Sequence, residues 1–248
     1  MKRILPFIII LAVLAIALGS AWYLTRSIPS SNTVVGSQQP VPRSTSSASP
    51  SSPGSQTPAP QTVANAGDPG AEPPHVLGPP TAPAQLEEFG DFECPPCGMF
   101  HPILEQMHQE FGDRLAITFR EFPLVPAHQH ALAAASAAEA AGLQGKFWEM
   151  HDLLYERQKT WKTEFDVRPV FEGYAREIGL DLERYRRDMA GEVVAQRIMQ
   201  DGKRGHSLDV KGTPTVFLNG LEVPFESLAA ERLRVFIQRE IDRAGKQK

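Results

Sequence analysis

The chain is poor in cysteine, with two in 248 residues, and its formal net charge is only −4. Each shortage excludes something. Two cysteines make one bridge at most, and with no second close cysteine pair they are a poor start for a closed structural zinc site, which takes four ligands. So small a charge shows no surface built for a polyanion, and no nucleic-acid partner is expected. No internal repeat is evident. The residues that are present are unevenly spread. Thirteen of the 22 prolines lie between Pro29 and Pro83, and the only long apolar run is at the N-terminus.

That run extends from Ile4 to about Leu24, behind Lys2 and Arg3 and ending at the aromatic pair Trp22–Tyr23. A bilayer-crossing helix needs roughly 20 apolar residues, so residues 1–26 are expected to be a membrane anchor. A cleaved signal peptide is the alternative, with Ala17, Gly19 and Ala21 as small residues for cleavage. Either reading exports the rest of the chain, to the periplasm or the outer face of the cytoplasmic membrane. Residues 27–80 are rich in Pro, Ser, Gly and Gln and show no apolar period. Such a stretch buries too little apolar surface to offset its ordering entropy, and it is expected to be a disordered tether.

The folded domain is expected over 81–248. "AQLEEFGDF" (84–92) reads as a strand and "PCGMFHPILEQMHQEFG" (96–112) as a helix, with Met99, Phe100, Ile103, Leu104, Met107 and Phe111 at helical spacing. "RLAITFREF" (114–122) alternates like a strand. From about 127 to 207 the pattern is wholly helical. Asn219–Gly220 then marks a hairpin within 213–223, and a last helix comes after it, with Ser227 as a candidate cap. This order predicts an α/β domain: a small mixed sheet with a helical insertion. Met99, Phe100 and Trp148 are assigned to core packing, His101 to a structural place in its helix, and His128 and His130 to a solvent-facing helix start.

Both cysteines fall in "FGDFECPPCGMFHP" (89–102). A bridge between Cys94 and Cys97 closes almost no loop, so it restricts the unfolded chain little and stability does not explain it. Position does. Cys94 stands at a strand–helix junction, where unpaired N–H groups and the helix dipole favour the thiolate. It is the expected nucleophile. Cys97, one turn in, is placed to resolve a mixed disulfide. Pro95 and Pro96 fit a helix start, fix φ, and remove two donors that would otherwise help the thiolate. Cys94, Cys97 and His101, with Met99 nearby, also have a spacing that suits a soft metal ion, the minor alternative. Attachment of c-type haem is excluded, because Gly98 rather than His comes after Cys97.

"EFGDFECPPC", the βα unit, the helical insertion and "GTPTVFLNG" together resemble the DsbA-like thiol-disulfide oxidoreductases of the thioredoxin fold, over about residues 78–245. The resemblance implies a cis-proline at Thr213–Pro214 facing the cysteines and binding substrate backbone, and Pro102 inside the active-site helix. It implies a proton-handling carboxylate at Glu88, six positions before Cys94. It implies action on cysteine-containing exported clients and service by a membrane redox partner; no cofactor or metal is expected, and, with no dimerisation domain set apart in the sequence, a monomer is expected. The strongest oxidants of the family often carry histidine where this chain has Pro96, so a less oxidising pair is expected. Disulfide donation is the favoured direction, and a reductase or isomerase is the alternative.

Overall fold

The computed structural model describes residues 67–246. The segment 1–26 lies outside the described residues, as does most of the expected tether. Among the described residues no helix is long and apolar enough to cross a membrane.

Five strands form one mixed sheet: β1 (His75–Leu77), β2 (Ala84–Gly90), β3 (Leu115–Glu121), β4 (Thr215–Leu218) and β5 (Leu221–Val223), in the order β1-β3-β2-β4-β5. The β2–β3 pair is parallel, joined through helix α1 (Pro95–Phe111), and the other pairs are antiparallel. This is the βαβ unit expected from the alternating and helical patterns. The β4–β5 hairpin turns at Asn219 and Gly220, with φ of 49° and 77°, the left-handed geometry for which an Asn-Gly pair is suited.

Register decides what surrounds the site. Residues directly opposite in a ladder share a sheet face. Glu88 in β2 is opposite Phe119 in β3 and Val216 in β4. It therefore sits between two apolar side chains on the face that also carries Leu86, Ile117 and Leu218. Helix α1 packs on this face through Cys97, Phe100, His101, Leu104, Met107 and Phe111, all buried at helical spacing. Pro102 is accommodated inside it, and Gly112, with φ of 50°, ends it. The C-terminal helix α8 (Ala230–Gly245) joins the same core through Leu233 and Ile237.

The insertion between β3 and β4 is helical as expected. It comprises α2 (Ala131–Gly142), α3 (Phe147–Glu156), the single turn α4 (Gln158–Trp161), α5 (Arg168–Glu177), α6 (Leu182–Met189) and α7 (Glu192–Ser207). Helix α2 is buried nearly all round by small alanines, which let neighbouring helices approach it from several sides. Asp181 caps α6 by accepting the Arg184 N–H. A second core, holding Phe92, Cys94, Cys97 and Phe119 with Met150, Leu154, Tyr155 and Trp161, lies between this insertion and the sheet.

Three sequence expectations need correction. Residues 67–80 belong to the folded domain rather than to a tether. β1 pairs with β3, and the segment before it is held by distant charges. Asp201 accepts the Ala71 N–H at 2.8 Å, Arg120 donates to the Ala71 carbonyl at 2.9 Å, and Arg197 reaches the Glu72 and Pro73 carbonyls. The proline- and glycine-rich composition hides this, because most of the stabilising groups lie more than a hundred residues away in α7. Arg120 also pairs with Asp201 and Glu87, and Arg204 with Glu87, in one partly buried network on the far sheet face. Ser227 does not cap the last helix; it closes a 3₁₀ turn, and α8 begins at Ala230. Met99 is not core: it is 67% exposed beside the active-site turn.

Candidate active site

The site is assembled from three places in the chain: the β2–α1 turn, the loop before β4, and the α4 turn of the insertion. The β2–α1 turn is shaped by Asp91. Its carboxylate accepts the Glu93 N–H at 2.8 Å, and its carbonyl accepts the Cys94 N–H at 3.1 Å, an Asx-type turn. The other carboxylate oxygen accepts the Leu124 N–H and pairs with His128 Nδ1 at 2.7 Å. His128 is therefore partly buried against the turn, and His130 is buried with Nε2 on the Glu164 carbonyl. The expectation that both histidines face solvent is overturned. The reason is that the loop after β3 folds back over the active-site turn.

Cys94 holds the N-cap position of α1, with extended backbone, and Pro95 and Pro96 fill the first two helical positions. No side chain caps this end. The Cys94 carbonyl accepts the Gly98 N–H at 3.2 Å. The Cys94 thiol donates to the Thr213 carbonyl at 3.2 Å, and the Thr213–Pro214 bond is cis. The two sequence-predicted parts of the site, 119 residues apart, thus meet atom to atom.

The two thiols are not equivalent. Cys97 is fully buried and Cys94 nearly so, at 4% exposure. The Cys94 pKa is lowered to about 6, chiefly by its hydrogen bond with Cys97 and with help from Thr213 against the cost of burial. The Cys97 thiol is pushed well up, first by burial, then by Cys94 and by the charge of Glu88. The pair is poised with one thiolate, on the more accessible sulfur.

Glu88 lies behind the pair at 2% exposure. Burial between Phe119 and Val216, with the Cys94 charge adding to it, raises its pKa to about 8. It carries a proton at neutral pH and can release one nearby. The alternative of a solvent-facing strand residue is thereby removed.

Two contributors escape sequence reasoning. Gln158, at the start of α4, donates its amide to the Phe92 carbonyl at 2.7 Å and to the Cys94 carbonyl at 2.9 Å. It satisfies buried carbonyls of the turn, and it explains Gly98: a Cβ there would lie 2.7 Å from the Gln158 amide oxygen. Nothing local marks this glutamine, because its partners are 64 and 66 residues away. Asp91 is legible as a turn former, but its role as a clamp needs the fold. The soft-metal alternative loses its ligand set. Among the described residues, the donors that gather around His101 are His151, Asp152, Glu105 and Glu156, and neither cysteine is with them.

A family model described as thioredoxin matches residues 71–239, and the chain belongs to that family, with a thioredoxin-like fold carrying a helical insertion. BdbD from Bacillus subtilis in its oxidised form has the same fold, with a TM-score of 0.63, 23% identity, and coverage of 71% of this chain and 97% of that one. A thioredoxin-like oxidoreductase from Silicibacter pomeroyi is 28% identical, with a TM-score of 0.56 over 72% of this chain and 94% of that one. In sequence, the chain is 44% identical over 147 residues to a protein of Salinispora arenicola named Na(+)/H(+) antiporter NhaA 1, covering 59% of this chain. The chain spans only about a fifth of the length of that relative, 22%.

Proposed function

We propose that this chain is a protein thiol-disulfide oxidoreductase that donates the Cys94–Cys97 disulfide to cysteines of exported proteins. The observation that carries this reading is the Cys94 sulfur itself, beside the cis-Pro214 loop and hydrogen-bonded by Cys97, with its pKa lowered to about 6. A stabilised thiolate favours the reduced form of the pair, and a pair that prefers to be reduced is an oxidant toward others.

A client thiolate attacks Cys94 Sγ, forming a client–Cys94 bond and breaking the Cys94–Cys97 bond. Cys97 departs with the electron pair into an apolar site that disfavours its charge, and protonated Glu88 supplies the proton. A second client thiolate attacks the client sulfur of the mixed disulfide and expels Cys94, a good leaving group because its thiolate is stabilised. The client leaves oxidised by two electrons and the pair is left as a dithiol, which a membrane electron acceptor must reoxidise. The cis-Pro214 loop presents backbone beside Cys94 to an extended client segment.

The apolar run at 4–24 supports an exported, anchored location. The antiporter name of the curated relatives brings no transport activity into this reading, since the shared stretch is 22% of that protein. The test is a trap. Cys97→Ala, expressed as the full chain, leaves a lone Cys94 thiolate that attacks a disulfide already made in a client, the reverse of the last exchange step, and that cannot be released by its own partner. Exported, cysteine-containing proteins should be recovered as mixed disulfides, separable by reduction. Recovery of cytoplasmic proteins alone, or of none, would overturn the reading.

A further inference from the structure

The seam between α1 and α3 holds a group of side chains that the redox chemistry does not use. His101 and Glu105 stand one turn apart on α1. His151, Asp152 and Glu156 stand on α3, with Asp152 and Glu156 again one turn apart. The i,i+4 spacing puts each pair on one helix face, and the two faces meet. His101 Nε2 lies 3.9 Å from a Glu105 carboxylate oxygen and 4.0 Å from Asp152 Oδ1. His151 Nδ1 lies 2.9 Å from the same Asp152 oxygen. One donor atom from each of His101, His151 and Asp152 falls within 4.8 Å of the others.

Burial makes this more than a surface cluster. His101 and His151 are 6% and 4% exposed, and the Nε2 atom of each is buried without a hydrogen-bond partner. A core histidine ordinarily gives its second nitrogen to a carbonyl, a carboxylate or water. Here two do not, and both line a cavity of about 240 Å³ shared with Glu105, Asp152 and Trp148. Asp152 and Glu105 are partly exposed at its mouth, so an ion has a path in.

We propose that this seam is a binding site for a divalent transition-metal ion of the zinc class, held by His101, His151 and Asp152 with Glu105 at the fourth position. The ligand types suit such an ion: two imidazoles and carboxylates, with no thiolate required. The spacing suits it too. Two donors on one tetrahedral ion, at bond lengths of about 2.0–2.2 Å, lie about 3.4 Å apart, so the separations among His101, His151 and Asp152 close by small side-chain movements, while Glu105, 3.9 Å from His101, must swing in from the mouth. A bound ion would join the active-site helix to the insertion at the turn directly after Cys97.

The test uses the untagged full chain, stripped with chelator and held as the Cys94–Cys97 disulfide so that thiols do not compete. Calorimetric titration with ZnCl₂ should show about one ion per chain. Co²⁺ in its place should give the intense visible bands of a four-coordinate site. Asp152→Asn and Glu105→Gln, both at the exposed mouth, should keep the thermal midpoint of the metal-free chain. Asp152→Asn should weaken Zn²⁺ binding by about tenfold or more, and His101→Gln should abolish the Co²⁺ bands. Absence of Zn²⁺ heat and Co²⁺ bands in the parent chain would overturn the site, and so would Asp152→Asn and His101→Gln variants that bind as the parent does. Because the thiols are oxidised throughout, neither result bears on the redox reading.

Discussion

Cys94→Ser is expected to lower the rate of client dithiol oxidation by about 10³-fold or more, to the uncatalysed background, since the variant has no sulfur to be attacked. Fold and stability should change little, because serine is close in size and the Thr213 carbonyl still receives a donor. The same sulfur sets a pH profile. In the reduced parent chain, alkylation of Cys94 should rise with pH to half its maximum near pH 6, where its thiolate forms. Cys97, buried and pushed upward, should stay unreacted over that range. Mass spectrometry after iodoacetamide pulses measures both. Half-maximal reaction near pH 9, the value of an unperturbed thiol, would remove the physical basis of the proposed direction.

Glu88→Gln separates catalysis from stability. Loss of a positioned proton donor should slow cleavage of the Cys94–Cys97 bond by about 10²-fold, with no effect on whether mixed disulfides form at Cys94. Stability should move the other way. Glu88 has a folded pKa near 8 against an ordinary 4.5. A group raised on folding contributes stability that is fully present below about pH 4.5 and lost as pH rises through 8. Between those values the fold must bind a proton that the unfolded chain lacks, worth about 1.4 kcal/mol per pH unit. Glu121, also buried and raised, adds a trend of the same sign. In the oxidised chain, where burial alone raises Glu88, denaturant midpoints should therefore fall as pH rises above about 4.5, and fall less steeply in Glu88→Gln, which should be the more stable protein at pH 7.5. Equal slopes in the two proteins would show that Glu88 is ionised in the fold and not the proton donor.

The parts of this site that are legible in the sequence are those set by local chemistry. Two cysteines around Pro95–Pro96 at the start of a helical period announce a reactive turn, while Thr213–Pro214 is marked as its facing loop only by the family resemblance. The helix expected over 96–112 forms at Pro95–Phe111, because its apolar period and Gly112 are both local signals. The hidden parts depend on distance. Residues 67–80 look like a tether until Asp201, Arg120 and Arg197 satisfy their backbone. His128 and His130 look solvated until Asp91 and Glu164 claim them. Gln158 carries no signal of its own, and in the sequence His101 stands nearest the cysteines, which are not its partners. Its companions include His151 and Asp152, about 50 residues further on, a pairing that only the packing of α3 on α1 reveals.

A pair that prefers to be reduced donates its disulfide, and the measurement that tests this most directly is the reduction potential of Cys94–Cys97 in the full chain, by equilibration in glutathione buffers. A lowered Cys94 pKa, without a histidine between the cysteines, predicts a value between about −120 and −200 mV, at or below the strong-oxidant end of the known range. A value near about −270 mV, where thioredoxin lies, would contradict it and make this protein a reductant.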